Sequence, residues 1–195
     1  MKALVIATLL AVSATGAPPV RILIAYHSQT GNTEKLAAAV RDGAAAVAGV
    51  EVVLRKVGEA TSDDIVKADG LVVGTPVHWG NLSADTKSFL DRVGVALGLG
   101  KASPTLGEGR TAGVFCTAGE PAGGQDTARL SVIAALLHMR FVIIGGVSGG
   151  GFGVIGPQAV TSSPAGVSDN ARTEARRFGE RFARLTKQLR SGAEK

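Results

Sequence analysis

Short, almost unbroken apolar runs return along this chain at spacings of a few tens of residues, each followed by a stretch of helical composition. That alternation restricts the fold more than any single motif. VRILIAY at 20–26, GLVVGT at 70–75, RTAGVFCT at 110–117 and FVIIGG at 141–146 are apolar throughout, as strands covered by helices on both faces must be. VEVVLRKV at 50–57 alternates more and belongs nearer an edge. Between them, residues 33–48, the short piece DDIVKA behind Ser62 or Asp63, residues 84–95 behind Ser83, GQDTARLSVIAALLH and residues 168–190 read as helices. Five such strands with intervening helices predict an α/β domain, a doubly wound parallel sheet between two helical layers.

The chain has 195 residues, room for one substantial core. The first nineteen, MKALVIATLLAVSATGAPP, read as an export signal or an N-terminal extension, leaving residues 20–192 as the domain. Their apolar run is too short for a stable membrane span. A used signal implies an exported, periplasmic protein; an unused one implies a cytoplasmic protein. The net charge of +5 invites a nucleic-acid partner, but the basic residues of the last helix are mixed with Glu174 and Glu180, as on a solvated amphipathic face. With one Trp and one Tyr, no aromatic residues interleave with the basic ones, so no nucleic acid is expected. A single cysteine, Cys116, and three scattered histidines provide neither a disulfide framework nor a metal site.

In a doubly wound sheet, ligands collect outside the carboxyl ends of the strands. Three loops should therefore converge there. The first, HSQTGNT, places Ser28, Gln29, Thr30, Gly31, Asn32 and Thr33 at the start of a helix. Helix N–H groups and hydroxyls can hold a phosphate without a cation, and a well-capped loop would look the same. Neither the nucleotide P-loop pattern nor G-x-G-x-x-G is present. The second, TPVHWGN, brings Pro76, Val77, His78, Trp79, Gly80 and Asn81, with an indole able to stack on a planar ligand or to finish the core. The third, TAGEPAGG, offers the slim backbone of Thr117, Ala118, Gly119, Glu120 and Gly123. A phosphate cradle, an aromatic wall and a small-residue wall together suit FMN.

SQTGNTEKLA, GTPVHWGNLSADTKSFLDR, FCTAGEPAGGQ and the later ALLH resemble the flavodoxin-like NAD(P)H:quinone oxidoreductases of the WrbA type, over nearly all of residues 20–190. The resemblance implies a flavodoxin-like fold with strand order 2-1-3-4-5. It implies FMN as cofactor, its phosphate on Ser28 to Thr33, its ring lined by Val77, His78 and Trp79, and its pyrimidine side by Thr117, Ala118, Gly119, Glu120 and Gly123. It also implies NAD(P)H as co-substrate, a quinone as the small-molecule acceptor, and a homodimer or tetramer. His138 would stand at the substrate face as the catalytic group. Three features differ from the family: EATSDDIVKADG is short between the second and third strands, Thr30 replaces a common Tyr, and Glu120-Pro121 lengthens the third loop by one residue. A flavodoxin-type electron carrier and a flavin-free binding module are the alternatives.

Overall fold

The computed structural model describes residues 18–101, 106–161 and 166–193. The segment read as an export signal lies outside these residues, apart from Pro18 and Pro19. In chain order the elements are β1 (Val20–Tyr26), α1 (Asn32–Ala45), β2 (Val50–Lys56), α2 (Ser62–Val66), β3 (Gly70–His78), β4 (Asn81–Leu82), α3 (Ala84–Ala96), β5 (Thr111–Ala118), α4 (Gln125–His138), β6 (Val142–Ile143), β7 (Gly146–Val147), β8 (Gly153–Val154), β9 (Gln158–Val160) and α5 (Asp169–Ala193). The main sheet runs β2-β1-β3-β5-β6, all parallel. This is the expected order once the short β4, an antiparallel extension of β3, is set aside.

Alternation along β1 shows how the layers form. Ile22, Ile24 and Tyr26 face the layer of α1 and α5, while Leu23 and Ala25 face the other side with Phe89, Leu90 and Val93 of α3 and Val132 and Leu136 of α4. From Ile22 to Tyr26 both sides of the strand are buried, and the residues there are apolar on both faces. Ser83 caps α3 by accepting the N–H of Thr86 at 3.3 Å. Thr61, one residue before the expected position, caps α2 in a reciprocal box with Asp64. Among the described residues, no helix is long and apolar enough to cross a membrane.

The fifth strand differs from expectation. Of FVIIGG only Val142 and Ile143 pair with β5, beside Thr111 and Ala112. The chain then departs through the glycine-rich residues 144–157, which fold back on themselves as the antiparallel β7–β8 pair. It returns as β9, which pairs with Cys116–Ala118 at the other end of β5. Glycine gives a strand little to pack, so the sequence GGVSGGGFGVIG cannot hold the middle of a buried strand. Buried Arg129 fixes the return, donating to the carbonyl of Gly156 and pairing with Asp126.

Helices α1 and α5 pack backbone to backbone. A Cβ on Gly179 would lie 2.0 Å from the carbonyl oxygen of Val40, and one on Gly43 would lie 1.9 Å from that of Arg176. Ala44, Ala175 and Ala183 continue the same seam. We expect Gly179→Ala to lower stability by about 2–4 kcal/mol in urea unfolding, because the crossing must open. Gly192→Ala, in the same helix with open space around it, should leave stability unchanged or raise it by up to about 1 kcal/mol.

Candidate functional site

The loops after β1, β3 and β5 meet in one cleft of about 310 Å³ at the carboxyl edge of the sheet. Gln29, Thr30, Asn32 and Thr33 come from the first loop, Pro76, Val77 and His78 from the second, and Thr117, Ala118 and Gly119 from the third. Among the described residues, no Lys or Arg lines it.

The first loop is built to present donors. Gly31, at φ 84, turns the chain into α1. Ser28 Oγ accepts the N–H of Glu34 at 3.2 Å, satisfying the third amide of the helix. Among the described residues, no acceptor pairs with the backbone N–H groups of residues 29–33. Behind them, buried Thr33 and Thr117 share a hydroxyl hydrogen bond of 2.8 Å, which ties the first loop to the third. The acid nearest the loop, Glu34, accepts from the Tyr26 hydroxyl at 3.1 Å. Burial and this carboxylate push the phenol up to about 12, so it stays a donor at any ordinary pH.

The second loop is a two-residue hairpin turn. His78 pairs with Asn81, and both residues between them have positive φ, Trp79 at 51° and Gly80 at 80°. At the tip of this turn the Trp79 indole is fully exposed and is not among the residues that line the cleft, whose wall here is Pro76, Val77 and His78. Gly80 instead meets the start of α4, where a Cβ on Gly124 would stand 2.4 Å from its carbonyl oxygen. Asn81 Oδ1 accepts the N–H of Leu82 at 2.7 Å. In the third loop, Gln125 donates to the carbonyls of Glu120 and Pro121 at 2.8 and 2.9 Å and so holds the turn, while the Glu120 side chain stays in solvent.

His138 does not join the cleft. It ends α4, whose first turn lies by the cleft, and a helix of 14 residues carries its last residue about 20 Å away. There the chain meets the opposite edge of the sheet: Phe141 bonds back to Leu136, and Val142 donates to Arg110 just before β5. Two residues of the site escaped sequence reading. Thr161 lines the cleft because β9 pairs beside Ala118, a pairing hidden in a stretch that reads as loop. His27 lies just behind His78, as described below.

Residues 55–152 match the family described as NADPH-dependent FMN reductase. A flavodoxin of Aquifex aeolicus (strain VF5) is 34% identical over 165 residues, covering 84% of this chain and 85% of the relative. The chain belongs to this flavodoxin-like, WrbA-type family. An NAD(P)H dehydrogenase (quinone) of Acidithiobacillus ferrooxidans is 31% identical over 145 residues, covering 64% of this chain and 70% of that one. Among solved structures, a WrbA-like flavodoxin from Agrobacterium tumefaciens superposes with a TM-score of 0.70 at 22% identity, over 87% of this chain and 99% of that one. In family terms, the matched residues contain the second and third loops, while the donor-rich first loop lies upstream of residue 55.

The Thr33–Thr117 pair is testable by a double-mutant cycle. Thr33→Val or Thr117→Val alone strands a buried hydroxyl and should cost about 1–3 kcal/mol in denaturant unfolding. The double variant should recover most of that loss, giving a coupling between the sites of at least about 1 kcal/mol.

Proposed function

We propose that this protein is an FMN-dependent oxidoreductase that passes electrons from NAD(P)H to a quinone-like acceptor. The observation that carries the reading is the row of N–H groups at residues 29–33 that find no acceptor among the described residues, in one cleft with Pro76, Val77 and His78 and with no Lys or Arg among its described lining residues. A terminal phosphate takes such donors as hydrogen-bond partners, helped by the positive end of α1. The residues present therefore fit the phosphate end of FMN. The narrow strip from Thr117 to Gly119 fits a flat ring, since a Cβ on Gly119 would meet nothing within 4 Å.

Bound FMN supplies the hydride and electron chemistry that no side chain of the cleft can perform. The chain's own part is placement. Thr33 and Thr117 set the distance between the phosphate loop and the ring wall. Thr30 and Asn32 add polar side chains to the amides, Asn32 donating to Thr30 at 3.4 Å. His78 offers ring nitrogens at the edge of the cleft, where it can exchange hydrogen bonds with ligand or substrate. The nicotinamide donor is supported by the family's description and the quinone acceptor by the Acidithiobacillus relative. The Aquifex relative, a flavodoxin, favours a second reading, an electron carrier with the same cofactor.

Titration of the purified chain with FMN is expected to quench flavin fluorescence with one-to-one stoichiometry. With FMN bound, steady oxidation of NADPH or NADH in the presence of a benzoquinone supports the enzyme. Saturable FMN binding without turnover supports the carrier, and no FMN binding overturns both.

A further inference from the structure

Behind the TPVH wall runs a chain of buried hydroxyls that starts at one carbonyl and ends at His27. Thr75 Oγ1 donates to the carbonyl of Pro76 at 2.9 Å. It accepts the N–H of Ser83 and the hydroxyl of Thr86, both at 3.1 Å. Thr86 Oγ1 also lies 2.9 Å from Ser83 Oγ, and Ser83 Oγ lies 2.8 Å from His27 Nδ1. Thr75, Ser83 and Thr86 are each 0% exposed, so water cannot replace any member. Each hydroxyl has one proton. That of Thr75 is held by Pro76 and that of Thr86 by Thr75, so between Ser83 and Thr86 the donor must be Ser83. Ser83 then has no proton left for His27, and its oxygen, which also accepts the N–H of Thr86, receives one instead.

We propose that His27 is a positioning residue, locked by this one-way hydroxyl chain with its proton on Nδ1, and that it holds the ring of His78 in the cleft. The His27 and His78 rings meet edge to face, centroids 5.6 Å apart and planes at 82°. On its far side, His27 Nε2 lies 3.7 Å from the Asp85 carboxylate, with which it pairs only when the ring carries both protons. In the neutral ring the Ser83 bond sets the orientation, and a flip would lose it. Pro76 at one end of the chain and His78 at the other both line the cleft, so the network fixes the wall as a unit. A neutral imidazole with its proton on Nδ1 is the less usual tautomer, which makes the assignment visible.

Long-range proton–nitrogen spectra of the ring nitrogens, recorded on the full chain without added ligand, decide the first half. We expect a protonated Nδ1 on His27 in both its neutral and its charged form; a neutral His27 with bare Nδ1 overturns the proposal. Thr86→Val removes the acceptor that fixes Ser83, freeing that hydroxyl to donate to His27. The Nε2–H form should then appear and the His78 signals should move. Thr86→Ser, which restores a hydroxyl, should return the native pattern. Unmoved His78 signals in Thr86→Val overturn the positioning role, and if that variant does not fold, the native spectrum still decides the tautomer. The affinity arm rests on the FMN reading: Thr86→Val should bind FMN about tenfold more weakly and Thr86→Ser like the native chain. Equal affinity in Thr86→Val overturns the role in binding. A native chain that ignores FMN defeats the function but leaves the spectra to judge the tautomer.

Discussion

The seam between α1 and α5 governs the rest of the structure, because it sets how closely α1 lies against the sheet. At Gly43 and Gly179 the two helices touch through main-chain atoms, a distance only residues without side chains allow. Helix α1 begins where the first loop ends, so a shift of the helix is a shift of the loop. Thr33 in its first turn must still reach Thr117 at 2.8 Å, and a hydrogen bond tolerates only a few tenths of an ångström. Phe178 and Phe182 press α5 onto the sheet from the same side. Interior packing and loop geometry are therefore one problem in this fold.

The cleft that results is polar and uncharged. Its donors are amides and hydroxyls whose directions are set by the backbone, and its nearest acid is restrained by Tyr26. Fixed dipoles of this kind need no reorganisation when an anion arrives, and they do not compete for it with a counter-ion. A lysine there would bind phosphate more strongly but would also welcome any other anion. Selectivity then falls to shape, which is why the wall made by Pro76, Val77 and His78 matters as much as the cradle.

Much of this was legible in the sequence because it depends on local rules. Short apolar runs without alternation, rich in β-branched residues and set between helical stretches, suit strands buried on both faces, and VRILIAY, GLVVGT and RTAGVFCT became β1, β3 and β5. Ser83 was readable as a cap, and the three loops as neighbours, since topology alone brings them together. What escaped depends on direction or on distant pairing. Trp79 belongs to the right loop, but it stands at the tip of a turn with two positive φ angles and is fully exposed, which no composition rule encodes. His138 belongs to the right helix but to its far end, since a helix returning along a parallel sheet leads away from the cleft. The split of the fifth strand could be suspected from its glycines, yet the rejoining of β9 beside Ala118, which brings in Thr161, is a long-range pairing.

The turn at Trp79 has an optical consequence. This chain has one tryptophan, and the fold holds it wholly in water at the rim of the cleft. In most domains indoles are largely interior, and ultraviolet emission reports on the core. Here the emission comes from a lamp outside the core, already solvated in the native state. It will change little when the interior melts, and it will respond to whatever settles beside the cleft.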